Sequence, residues 1–125
     1  MLRDGLIFYD DDKTEMVIFN HYSFCELLKW TIVKYASKTY EEAHALVRNS
    51  ALAKEPDSYL EVSLITHELD FHWAMLIVHG EMYWLRGIPS DTNTFNDEYE
   101  EWRNHILTKY SLKEIYTYSD FKQQT

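Results

Sequence analysis

Glu61, Glu68, His72, His79 and Arg86 are spaced so that on one helix, at 100° per residue, they fall within about 40° of each other. Carboxylates and imidazoles on one face are the material of a divalent-metal site or of acid/base chemistry. Glu68 and His72 stand at i and i+4, neighbours on a helix surface, and are the candidate ligands of a divalent metal, with Glu61 or His79 as helpers. His79 lies seven residues beyond His72, about 10.5 Å along a helix, which is long for sharing one ion. A zinc-protease helix needs its histidines at i and i+4, whereas His67 and His72 are five apart and diverge by about 140°. The Glu-x-x-His pattern of di-metal bundles is absent too, since Glu68 and His72 have a different spacing. The competing reading of the stripe is a set of hydrogen-bonded or solvated histidines with no ion between them.

Other reactive residues are dispersed. Asp10, Asp11 and Asp12 form an acidic run without the glycine or distal glutamate of a calcium loop, and read as a solvated turn. Asp97, Glu98, Glu100 and Glu101 crowd the start of a helical segment, where they complement its dipole. Cys25 has Lys29 one turn later but no assigned histidine partner, so it reads as a buried structural thiol. No nucleophile elbow places a serine, and Gly5, Gly80 and Gly87 are too scattered for a phosphate loop.

A binding surface has better material than a catalytic one. The C-terminal third carries Tyr83, Trp84, Tyr99, Trp102, Tyr110, Tyr116, Tyr118 and Phe121 among acidic clusters, and tyrosine and tryptophan beside carboxylates make anchors for a basic surface. Most of these rings are expected to belong to the core. Trp84 and Tyr118, which lie off the main apolar stripes, are expected to be exposed and, with Glu98 and Glu101, are the candidate binding residues.

The elements that must position these groups are marked by a recurring capping box, Ser or Thr followed three residues later by Glu. It occurs at Ser23/Glu26, Thr39/Glu42, Ser58/Glu61 and Ser111/Glu114, with an Asp version at Thr94/Asp97. The first box predicts a helix over Phe24–Ala36, with Tyr22 and Leu27 as a hydrophobic staple, and the second a helix from Tyr40 to about Ala53, stopped by Pro56 and paired with the first. The third opens a long central helix, Tyr59 to about Arg86, closed by Gly87 and Pro89. Leu60, Leu64, Phe71, Val78 and Leu85 form one of its apolar faces and Val62, Leu69, Trp73 and Leu76 the other. Gly80 costs about 1 kcal/mol within a helix, but the apolar period survives it; a break there, with helix resuming at Glu81, is the alternative. A fourth helix runs Phe95–Tyr110, and Leu112–Tyr118 is open between helix and strand. Leu6–Tyr9 and Thr14–Phe19, flanking the polar Asp10–Lys13, suggest a β-hairpin with a four-residue loop.

At 125 residues there is room for one domain, 1–125, and only three glycines and two prolines argue against a turn-rich sandwich. The expected fold is therefore mainly α, a single-domain helical bundle of four to five helices with a small N-terminal hairpin. Twelve basic against 21 acidic residues give a formal charge of -9, which repels phosphate backbones and disfavours nucleic-acid binding. One cysteine excludes an intrachain disulfide, and the first twelve residues fit neither a signal nor a transit peptide. The longest apolar run, Trp73–Val78, is far short of the about twenty residues that span a membrane, so a cytoplasmic location is expected. These features predict a non-enzymatic protein-binding module that docks onto a basic protein partner without a cofactor. In composition alone this profile is that of immunity proteins and antitoxins. The alternative is a helical metal-dependent enzyme using the Glu/His stripe.

Overall fold

In the computed structural model, which describes residues 2–120, the elements are β1 (Leu6–Tyr9), β2 (Glu15–Phe19), α1 (His21–Tyr35), α2 (Tyr40–Arg48), α3 (Tyr59–Thr66), α4 (Asp70–His79), α5 (Asn96–Lys109) and β3 (Tyr116–Asp120). Short 3-10 turns follow α2, at Ala51–Ala53, and α4, at Tyr83–Arg86. The protein is mainly helical, with a small three-stranded antiparallel sheet.

The hairpin expected at the N-terminus is present, with the register Leu6↔Phe19 to Tyr9↔Met16. Its connection is one residue longer than expected. The Asp10 carboxylate accepts hydrogen bonds from Thr14 N, Thr14 Oγ1 and Glu15 N, which stabilises the left-handed Lys13. Of the Leu112–Tyr118 segment left open between helix and strand, Tyr116–Tyr118 enter β3, which pairs with β2 from Glu15↔Asp120 to Phe19↔Tyr116 and leaves β2 central. Period-two alternation puts Leu6, Phe8, Val17, Phe19 and Tyr118 on one face, and Leu6, Val17 and Phe19 enter the core.

Helix α1 begins three residues earlier than its expected start, and by a different device. Asn20 occupies the N-cap but spends its side chain on tertiary bonds, accepting from Gly5 N and donating to the Glu114 carbonyl. The first turn is capped from upstream: Asp4 accepts from Ser23 N and from Ser23 Oγ, each at 2.8 Å, and Ser23 Oγ in turn accepts from Lys113 N. The expected Ser23/Glu26 box is thus absent. The staple exists three residues out of the expected frame, with the rings of Phe19 at N′ and Phe24 at N4 at 5.5 Å.

Packed against α2, α4 and α5, α1 is the helix at the centre of the molecule. At its C-terminal end Tyr35 meets Phe71, Phe95, Tyr99 and Trp102 at ring separations of 5.4–5.9 Å, so α1, α4 and α5 share one aromatic cluster. Mid-helix, buried Lys29 pairs with Glu26 at 2.5 Å, and Glu26 also accepts from the Tyr40 hydroxyl of α2. Cys25 Sγ and His21 Nε2 both reach the Leu52 carbonyl, tying the 3-10 turn after α2 to α1. That turn replaces the last residues of the longer second helix expected from sequence.

The long central helix is not formed. It is divided into α3, α4 and a 3-10 turn. The first break falls at His67–Leu69: Leu69 is extended (φ -70°, ψ 146°), Asp70 starts α4, and the Trp73 indole N–H donates to the Ile65 carbonyl left open by the end of α3. The Arg103 guanidinium of α5 fixes Asp70 at 2.8 Å and Glu114 at 2.9 Å, so Glu114 serves an ion pair where a capping box with Ser111 was expected. The second break is at Gly80, whose φ of 81° excludes helix, and a left-handed Met82 follows it. After Gly80 the chain forms a 3-10 turn at Tyr83, where the alternative had helix resuming at Glu81. Of the remaining boxes, Thr39/Glu42 is complete, Ser58 accepts from Glu61 N, and Thr94/Asp97 is not used, because α5 starts after Phe95.

Candidate functional site

An open cleft of about 750 Å³ lies between the β1–β2 turn and the N-terminal half of α3. Its lining combines Asp10, Asp11, Asp12 and Asp57 with Phe8, Tyr9, Tyr59 and Leu60. Two segments about fifty residues apart in sequence are brought together because Tyr59 reaches across the sheet. Its hydroxyl donates to Glu15 of β2, and its ring meets Tyr118 of β3 edge-on at 5.9 Å. The Glu15 acceptor pushes the Tyr59 hydroxyl up to about 12, so it remains a proton donor to Glu15 at neutral pH.

The four aspartates are not equivalent. Asp10 is committed to the turn; against its partial desolvation, the donors from Glu15, Thr14 and Lys13 hold it below the ordinary carboxylate range. Asp11, Asp12 and Asp57 are exposed and carry the negative charge that the cleft presents outward. Aromatic and apolar walls beside three carboxylates suit a cationic side chain whose methylene stem packs while its head is neutralised.

The residues singled out from sequence fall elsewhere. Trp84 is 44% exposed on the 3-10 turn after α4, while Tyr118, expected at the surface, is half-buried behind Tyr59 with its hydroxyl on Thr66 at 2.7 Å. Glu98 and Glu101 are exposed on α5. Phe121 lies outside the described residues.

The Glu/His stripe is dispersed by the breaks in its helix. Glu68 lies in the connection before α4, so it and His72 are not a helical i, i+4 pair. His72 Nδ1 bonds the Tyr83 hydroxyl at 2.8 Å, with Trp73 and Trp84 flanking the imidazole. Among the described residues no group of three His, Cys, Asp or Glu side chains is arranged to hold a metal ion. His79 is depressed by burial and by the nearby Arg86 and Lys38 cations, and its carbonyl accepts from Arg86.

A smaller charged hollow of about 330 Å³ lies over the Asp70–Arg103–Glu114 triad, rimmed by Glu68, Glu100 and Tyr116. Burial raises Asp70 in spite of Arg103. Burial also opposes the charge on Arg103, but Asp70 and Glu114 outweigh it and hold the guanidinium protonated. This hollow reads as the outer surface of a structural ion pair.

Sequence reasoning recorded the Asp10–Asp12 run and the Ser58 box but did not join them. The signal was Asp57-Ser58-Tyr59, an acid and an aromatic flanking a helix cap; what could not be read was the long-range Tyr59–Glu15 bond that sets it opposite the turn. Among the described residues no helix is long and apolar enough to cross a membrane. No family model, no curated protein and no solved structure matches the chain.

Proposed function

We propose that the chain is a non-enzymatic protein-binding module whose acidic, aromatic-walled cleft docks onto a basic protein partner. The observation that carries this reading is the convergence of Asp11, Asp12 and Asp57 with Phe8, Tyr9 and Tyr59 in one open concavity. A formal charge of -9 adds a long-range field that speeds encounter with a basic surface and repels phosphate backbones. Glu98 and Glu101 on α5 strengthen that field, with Trp84 as a separate exposed anchor.

The test separates place from total charge. Isothermal titration with a decalysine probe at low salt is run on wild type, on D11N/D12N/D57N and on E98Q/E100Q/E101Q, the two triple variants losing equal charge. At up to about 0.5 kcal/mol per exposed charge, the cleft variant is expected to lose roughly tenfold in affinity. The α5 variant should lose no more than about threefold, by weakened field alone. Equal losses, or a larger loss from α5, would remove the cleft from the proposal.

A further inference from the structure

Helix α3 leaves apolar surface uncovered where the sequence pattern promises burial. Val62 is fully buried and Tyr59 and Ile65 half-buried, yet Leu60 and Leu64, one turn apart, are 67% and 63% exposed. They form a ridge between two hollows. On the Leu60 side lies the acidic cleft; on the Leu64 side lies a hollow of about 260 Å³ lined by Ala51, Leu52, Pro56 and Ile65 with Lys54 and Glu61. An i, i+4 leucine ridge flanked by hollows is the shape that the side-chain ridges of another helix interdigitate with.

Resting on the docking function proposed above, we infer that this face is the seat of an amphipathic basic helix from a partner protein. Its apolar side chains pack over Leu60 and Leu64 into the Leu52/Ile65 hollow, and its lysines or arginines face Asp11, Asp12 and Asp57. Charge selects this occupant. Asp11, Asp12 and Asp57 gather on the Leu60 flank of the ridge, whereas the Leu64 flank sets Lys54 beside its one acid, Glu61, so a helix with cations along one flank and apolar residues beside them matches it in one orientation. A second copy of the chain would bring aspartate against aspartate with -9 on each side, and an anionic lipid surface meets the same repulsion.

Three synthetic peptides test the inference: a fourteen-residue lysine/leucine helix with the two residue types on separate faces, a scramble of the same composition, and decalysine. Circular dichroism first checks that L60S/L64S is folded, the result expected for exposed positions. The segregated peptide should bind wild type at least tenfold tighter than the scramble, and L60S/L64S should abolish that difference while leaving decalysine affinity within about twofold. Equal affinity for the segregated and scrambled peptides, or a preference unchanged in L60S/L64S, overturns the helix seat and leaves the electrostatic docking function standing. Failure of all three peptides to bind at low salt overturns both.

Discussion

Replacing Arg103 with Met keeps the aliphatic volume of the side chain and removes its charge, isolating the electrostatic role of the residue that joins α5 to the start of α4. The side chains of Arg103 and Asp70 are each 11% exposed, whereas Glu114 is 60% exposed, so the Asp70 contact dominates the cost of losing the guanidinium. Removing one partner of a buried pair leaves an uncompensated charge and costs about 3–5 kcal/mol; the Glu114 contact adds at most about 1 kcal/mol. At about 3–5 °C per kcal/mol for a chain of this size, the melting temperature should fall by roughly 10–20 °C. The loss should depend on pH. Burial already raises Asp70 with Arg103 present, and without the guanidinium nothing opposes that rise. A carboxyl whose folded pKa exceeds its unfolded value makes the folded state less stable as pH rises and releases that penalty as pH falls. R103M should therefore recover part of its deficit relative to wild type between pH 7 and pH 4.5, and D70N/R103M should be more stable than R103M at pH 7. Urea denaturation of the three proteins at both pH values reads these differences. A loss below 1 kcal/mol for R103M, equal at both pH values, would refute the treatment of Asp70 as a buried charge held by its partner.

Burial pushes the Cys25 thiol up to about 12, so native protein should react with a disulfide reagent at pH 8 only as fast as it unfolds; rapid labelling would contradict the packing of α1 against the Leu52 turn. Because that folded pKa lies above the unfolded value, the thiol should also withdraw stability as pH rises past about 8.5, a slope absent in Cys25→Ala. Thr39→Ala should cost about 1 kcal/mol by denaturant titration, since its side chain caps α2. Ser111→Ala, at a box the structure does not use, should differ from wild type by less than about 0.5 kcal/mol. Burial and the Arg86 and Lys38 cations depress His79, so the neutral form is favoured on folding, and stability should fall as pH drops below about 6.5; a flat profile from pH 7 to 5 would contradict that environment.

The hairpin and the cores of α1, α2 and α5 could be read from the chain because each is specified locally, by alternation, by helical period or by the Thr39 box. The central segment could not. Apolar period alone assigned Leu60, Leu64 and Leu85 to a buried face, but burial depends on whether another element arrives, and none among the described residues covers them. Gly80 was weighed as a tolerable cost within a helix, whereas its positive φ makes it a terminus. The Ser23 box matched in sequence and failed in space because Asp4, nineteen residues upstream, takes the capping role. The cleft suffered the same blindness: each wall was visible as a local motif, and only the Tyr59–Glu15 bond makes them one site.

The closure of the sheet by β3 sets an order of events during synthesis. Asn20 donates to the Glu114 carbonyl across 94 residues, and β2 acquires its second neighbour only from Tyr116–Asp120. A nascent chain that has exposed β1 through α5 must therefore wait with one edge of β2 unpaired and the Asn20 amide unsatisfied, a template on which another strand can add. Such non-local pairing is slow to find, which lengthens the time that this edge of β2 is open to intermolecular pairing. Chaperone demand and aggregation in cells should accordingly track changes in residues 112–120 more closely than their modest burial would imply.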